Sequence, residues 1–207
     1  MRSGTSETGP ALSEAQPSRR AVFLDRDGTV LEEAGYLDRL ERLVFFPYAI
    51  DAIRLLNHAG FAVVIITNQS GVGRGLYEEE FVHRAHAVVD ERVKAGGGRI
   101  DGFYYCPHHP TAEIERYRKD CDCRKPGPGM LRAAAADLGL DLSRSFAVGD
   151  KWTDVQVGLA AGGKGILVRT GYGRSSETSP RRPRRSVEPT FIADDLIAAT
   201  AWILRQE

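Results

Sequence analysis

The sequence predicts an α/β fold, a doubly wound parallel sheet with helices on both faces. Three observations carry that expectation. Apolar strand-like runs alternate with helix-like segments along the chain. The run FAVVIIT at 61–67 is continuously apolar, as a strand buried on both faces must be. Three of the runs end on polar clusters, and in open parallel sheets the ligand crevice lies beyond the carboxyl ends of the strands.

The elements follow in order. AVFLD at 21–25 is the first strand. A helix spans 47–59, with Pro47 in its first turn and Gly60 as its stop. The strand at 61–67 comes next, then a helix over 78–94 with acidic residues in its first turn and three glycines, Gly96 to Gly98, behind it. GFYYC at 102–106 is a short strand, 130–138 an alanine-rich helix, and SFAVGD at 145–150 a strand. A short helix at 155–161, a strand at 165–170 and a helix at 194–205 complete the pattern. The polar stretch at 175–189 reads as a loop or mobile linker.

A chain of 207 residues with 42% hydrophobic and 27% charged residues suits one globular domain. Positive and negative side chains number 28 each, so no global field favours nucleic acid or a membrane surface. The opening MRSGTSETGPALSEAQPSRR lacks the apolar middle of a secretion signal. The expectation is a disordered tail over 1–19, a single domain over 20–207, and a cytoplasmic location. Three cysteines are an odd number, and all fall within 106–123, which argues against a disulfide framework and for metal binding.

The strand tips are Asp25-Arg26-Asp27-Gly28-Thr29, Thr67-Asn68-Gln69-Ser70-Gly71 and Gly149-Asp150-Lys151. Two carboxylates two residues apart repel unless a cation lies between them or one is protonated. With Asp150 as a third oxygen ligand they suit Mg²⁺, which takes one or two carboxylates plus waters and substrate phosphate. Taken alone, the Asp25/Asp27 pair is equally compatible with capping a turn. Cys106-x-His108 and Cys121-x-Cys123 supply the four ligands of a closed, structural Zn²⁺ site. His109 in place of His108, or three buried cysteines beside an exposed histidine, are the alternatives. Residues 107–120 are too polar for a core of their own, so a metal clamp would replace hydrophobic anchoring. It would also aim Arg124 and Lys125, which follow the last ligand directly.

DRDGTV, a strand ending in TN, the lysine of RKP, and GDKWTD occur in this order, each at a loop position. In these motifs, over residues 20–170, the chain resembles the haloacid dehalogenase-like phosphohydrolases. The resemblance implies that Asp25 is the nucleophile and Asp27 the general acid and base. Mg²⁺ would be held by the Asp25 and Asp150 carboxylates and the Asp27 carbonyl. Thr67 and Lys125 would stabilise the transferring phosphoryl group, with Asp154 supporting the metal or Lys125 from behind.

C-x-H…C-x-C-R-K-P resembles the zinc-containing subgroup that includes histidinol-phosphate and heptose bisphosphate phosphatases. GYLDRL, TNQSGVGRG and YYCPHHP are similar to the latter. That implies a small phosphorylated sugar touched by Glu33, Ala34, Gly35, Tyr36, Thr67, Asn68, Gln69, Ser70, Arg124, Lys125 and Lys151, with Arg124 on the remote phosphate or the sugar. Residues 33–36 read equally as an ordinary loop. No large cap domain is visible, so an open site, a small substrate and a monomer are expected. Trp152 and the arginines at 181, 182, 184 and 185 depart from the pattern, and the Trp152 ring could narrow the pocket mouth. A nucleic-acid binder and a phospho-accepting signalling domain are the rival classes. Balanced net charge and scarce aromatic-basic interleaving argue against the first, and the second needs neither a second carboxylate as acid and base nor a metal-held Arg-Lys pair.

Overall fold

The computed structural model describes residues 19–179 and 187–206. The expected tail up to residue 18 and Arg181, Arg182, Arg184 and Arg185 lie outside these residues. Six parallel strands form one sheet: β1 (Ala21–Leu24), β2 (Ala62–Asn68), β3 (Gly102–Cys106), β4 (Phe146–Gly149), β5 (Lys164–Val168) and β6 (Phe191–Ala193). Their order across the sheet is β3-β2-β1-β4-β5-β6. The order reverses at β1, so the crevice beyond the carboxyl ends of β1, β2 and β4 is the switch point.

Strand alternation explains the layers. Val22 and Leu24 of β1, with Val63 and Ile65 of β2, face a core shared with α1 (Ala49–His58), α3 (Glu79–Ala95) and α7 (Leu196–Leu204). Ala21, Phe23, Val64 and Ile66 face the opposite core with Met130, Leu131 and Ala134 of α4 (Gly129–Leu138) and Val157 of α5 (Trp152–Ala160). Each fully buried Leu, Ile or Phe contributes about 1.5–3 kcal/mol by leaving water. Two such layers hold the strand tips rigidly.

Some expectations change. Arg19, assigned to the tail, is part of the fold: its N–H donates to Gly139 O at 3.1 Å, and its carbonyl accepts from Asp141 N at 2.8 Å. Two short helices, α2 (Ser70–Gly73) and α6 (Gly173–Thr178), and the three-residue β6 were not foreseen, being too short to show a period. The α6 helix enters the stretch read as a linker. Tertiary contacts hold it there: Trp152 Nε1 donates to Ser176 O at 2.8 Å and Ser176 Oγ to Asp150 O at 3.0 Å. The α5 helix begins three residues earlier than expected, with the Asp154 carboxylate accepting from Lys151 N–H at 2.9 Å.

Candidate active site

Asp25 is the first residue past β1, still tied to the sheet by its N–H on Val148 O at 2.9 Å. Its Oδ1 lies 2.8 Å from Lys125 Nζ, and the same ammonium is 2.6 Å from Asp154 Oδ1. The Asn68 side chain places Lys125, accepting from its N–H at 3.0 Å and donating to its carbonyl at 3.1 Å. Burial works against the Lys125 charge, but Asp154 and Asp25 outweigh it and raise the pKa. The lysine is a fixed cation.

Asp150 lies fully buried beside them. Tyr172 N–H donates to its Oδ2 at 2.8 Å, and Lys151 Nζ is 3.1 Å from its Oδ1. Two glycines make room. A Cβ on Gly28 (φ 88°) would fall 2.2 Å from Asp150 Oδ2, and one on Gly171 (φ 52°) 2.3 Å from it. Ligand atoms of Asp25, Asp150 and Asp154 lie within 4.8 Å of one another. Burial, and then the neighbouring Asp25, push the Asp150 carboxyl up to about 7. A buried carboxylate so penalised fits a divalent cation, which reverses that cost.

The Asp27 side chain stands outside this group. The fully buried Arg26 grips it twice, Nε to Oδ1 at 3.0 Å and Nη2 to Oδ2 at 2.8 Å. Burial acts to raise Asp27, but the Arg26 guanidinium and the Gln69 amide hold it below the usual carboxylate range. Gln69 Nε2 donates both to Asp27 Oδ2 at 3.0 Å and to Thr67 Oγ1 at 2.8 Å, and Tyr77 O–H fixes the amide from Oε1 at 2.9 Å. Neither Arg26 nor Tyr77 was singled out in the sequence. The arginine between two aspartates was the available signal.

Asp25, Asp27, Thr67, Gln69, Lys125 and Asp154, but not Asp150 or Arg26, line a cavity of about 360 Å³ with Glu33, Gly35, Tyr36, Asn68, Ser70, Arg124 and Lys151. Leu37, Tyr77, Thr153 and Tyr172 line it too and were not foreseen. Ala34 does not; its carbonyl accepts from Arg42 Nη2 at 2.6 Å, which folds residues 34–36 onto Arg42. Lys151 Nζ bridges Asp150 and Glu33 (3.3 Å) and lies 4.8 Å from the Tyr172 ring centre. Trp152 does not narrow the mouth. It is buried against Val155 and Leu167 and is not among the lining residues.

The cysteines converge. Cys106 and Cys123 sulfurs are 3.2 Å apart, Cys121 and Cys123 3.2 Å, and His108 Nδ1 is 3.3 Å from Cys123 Sγ. A tetrahedral ion with bonds of about 2.0–2.3 Å spaces its ligands by about 3.5 Å. Burial, and then Cys123, push the Cys106 thiol well up, a cost that a cation in their midst reverses. His109 turns away, its Nδ1 accepting from Thr111 N–H at 3.1 Å. The loop also has an apolar anchor, contrary to expectation: Ala112, Ile114 and Tyr117 pack on Val72 and Val82 of α2 and α3.

A family model described as HAD-hydrolase-like matches residues 122–199. The D-glycero-beta-D-manno-heptose-1,7-bisphosphate 7-phosphatase of Photorhabdus laumondii is 46% identical over 152 residues, 73% of this chain and 81% of the relative. The corresponding 7-phosphatase of Thermosynechococcus vestitus is 44% identical over 190 residues, 89% and 95% of the two chains. Among solved structures, the D,D-heptose 1,7-bisphosphate phosphatase of B. bronchiseptica, complexed with magnesium and phosphate, superposes with a TM-score of 0.79 at 33% identity. That match covers 91% of this chain and 99% of the other. Identity of this degree over most of both chains, on a shared fold, places the chain in the heptose-1,7-bisphosphate 7-phosphatase family of the haloacid dehalogenase-like hydrolases.

Proposed function

We propose that this chain removes the C7 phosphate of D-glycero-D-manno-heptose 1,7-bisphosphate through an aspartyl-phosphate on Asp25, in the synthesis of nucleotide-activated heptose. One observation carries the reading. Three cationic side chains line the cavity: Lys125 beside Asp25, Lys151 beside Asp150 and Glu33, and Arg124, whose guanidinium donates to the His108 carbonyl. A bisphosphate presents one group to transfer and one to hold.

The residues divide the chemistry as follows. Asp25 Oδ2, which is free of the Lys125 contact, attacks phosphorus as the bond to the sugar oxygen breaks. Lys125 and the Thr67 hydroxyl stabilise the oxygens of the transferring group. Asp27 gives a proton to the leaving sugar oxygen and then takes one from the water that hydrolyses the acyl phosphate. In the resting site Arg26 keeps Asp27 ionised, and the negative charge of an arriving phosphate favours its protonation. Asp25 and Asp150, with the Asp27 carbonyl, would hold Mg²⁺, which when bound neutralises carboxylate charge and polarises phosphoryl oxygens. Asp154 stays with Lys125.

Cys106, His108, Cys121 and Cys123 would hold Zn²⁺ in a closed, structural site. A cytoplasmic monomer acting on a small phosphorylated sugar completes the reading. It is consistent with the finding that no described helix is long and apolar enough to cross a membrane. The test is phosphate release with Mg²⁺ from heptose 1,7-bisphosphate and from histidinol phosphate in parallel. Preference for the bisphosphate is expected, and preference for histidinol phosphate would overturn the substrate assignment.

A further inference from the structure

One carboxylate outside the cavity joins three segments. Glu79 is the first residue of α3. Its Oε2 accepts from Tyr105 O–H and its Oε1 from Tyr117 O–H, both at 2.5 Å. Tyr105 directly precedes Cys106 on β3, whereas Tyr117 sits in the short turn Glu115–Tyr117 midway along the metal-binding loop. An acidic side chain in a first helical turn is ordinary by itself, since it complements the helix dipole. That role asks for no partner. Two phenol donors, one from the strand that leads into the loop and one from the middle of it, do, and phenol-to-carboxylate bonds of this kind are charge-assisted and strong.

The contacts continue towards the site. The Tyr117 carbonyl accepts from His109 N–H at 3.1 Å, and the Tyr117 ring lies 6.2 Å from that of His108. The His108 carbonyl in turn accepts from Arg124 Nη1 at 3.1 Å. Arg124 lines the cavity, so the loop residue that supports its guanidinium is located by the tyrosine that Glu79 holds.

We propose that Glu79 is a positioning residue for substrate recognition: its grip on Tyr105 and Tyr117 seats the metal-binding loop on α3 and thereby sets where the Arg124 guanidinium stands. The kinetic consequence rests on the reading of Arg124 as the contact for the second phosphate. The seating of the loop does not. Glu79 touches neither substrate nor reacting atoms. A displacement of Arg124 by an ångström therefore weakens capture of a bisphosphate while the floor of the cavity keeps its geometry.

The experiment compares zinc-loaded full-length wild type, Glu79→Ala, Glu79→Gln and Arg124→Ala. Amide hydrogen exchange over residues 107–120 and the rate of zinc release to a chromogenic chelator report loop seating. KM and kcat on heptose 1,7-bisphosphate and on p-nitrophenyl phosphate, which has no second phosphate, report recognition. Glu79→Ala is expected to speed exchange and zinc release and to raise KM for the bisphosphate by about tenfold, in the range a small misplacement produces. Its kcat on both substrates stays within about twofold, and Glu79→Gln, which keeps one acceptor for a phenol, recovers most of the loss. Unchanged exchange and zinc release in Glu79→Ala would overturn the seating. Changed exchange with an unchanged bisphosphate KM, or an equal loss on both substrates, would overturn the positioning role. Should Arg124→Ala leave the bisphosphate KM unaltered, the Arg124 reading itself fails, and the exchange and release data alone decide whether Glu79 seats the loop.

Discussion

Lys125 Nζ stands 2.8 Å from Asp25 Oδ1, an ion pair with both side chains almost wholly removed from solvent. Its ammonium is shared with Asp154 at 2.6 Å, so one buried cation balances two buried acids. Breaking a buried pair by removing one partner leaves the others uncompensated. Lys125→Met is expected to abolish phosphate release and to cost about 3–5 kcal/mol of folding stability, read from denaturant unfolding. Adding Asp154→Asn to that variant should recover part of the stability and none of the activity. A Lys125→Met protein as stable as wild type would show that the pair contributes nothing to the fold.

Asp25→Asn keeps the size of the side chain and removes the nucleophile. Turnover should fall by at least about a thousandfold, as expected when a group essential to a covalent step is lost. Circular dichroism should report an intact fold. Retention of a tenth of wild-type activity would rule out Asp25 as nucleophile.

Gly171 permits the Asp150 carboxylate to lie where it does, since an added Cβ would fall 2.3 Å from Oδ2 and the backbone φ is 52°. Gly171→Ala should displace that carboxylate and raise the Mg²⁺ concentration needed for half-maximal activity, with zinc content unchanged. The reading fails if the Mg²⁺ titration superposes on that of wild type.

His86 on α3 is buried, stacked on Phe103 with ring centres 4.8 Å apart, and its Nε2 has no hydrogen-bond partner among the described residues. Burial, then the charges of Arg26 and His83, push its pKa from 6.5 down to about 3. Above pH 6.5 neither the native nor the unfolded chain binds a proton there. Between 6.5 and 3 the unfolded chain does and the native one does not, so stability falls as pH falls through that window. Urea midpoints measured across it should drop less steeply in His86→Phe than in wild type.

Removing zinc with a strong chelator should weaken capture of the bisphosphate before it affects Mg²⁺ activation. The cysteine cluster adjoins Arg124, whereas Asp25 and Asp150 directly follow the sheet strands β1 and β4. Part of the loop should stay docked, because Ala112, Ile114 and Tyr117 pack on Val72 and Val82. Unchanged kinetics after complete zinc loss would separate the loop from recognition.

The long strands and helices were legible because burial on two faces leaves a local signature: FAVVIIT reads as an inner strand in isolation. Gly173–Thr178 and Phe191–Ala193 left none, since a glycine with five polar residues and a run of three apolar ones carry no period. The site was legible wherever a residue type is demanding. Asp25, Asp150, Lys125 and the cysteines announced themselves, whereas Tyr77 and Tyr172 looked like ordinary aromatics. Trp152 was misplaced because a sequence does not say which face of a helix start meets the cavity.

By itself the sequence determined the layered α/β plan, the acids at the strand tips and the grouping of sulfur ligands with two cations. These are local patterns, fixed by periodicity and by neighbours a few positions apart. Only the tertiary structure decided that Asp154 shares the ammonium of Lys125, that Arg26 holds the Asp27 side chain away from the acidic cluster, and that Glu79 joins two tyrosines across the loop. Pairing energies and proton affinities depend on distances of a few ångströms inside a medium that screens poorly, and packing sets those distances between residues far apart in the chain.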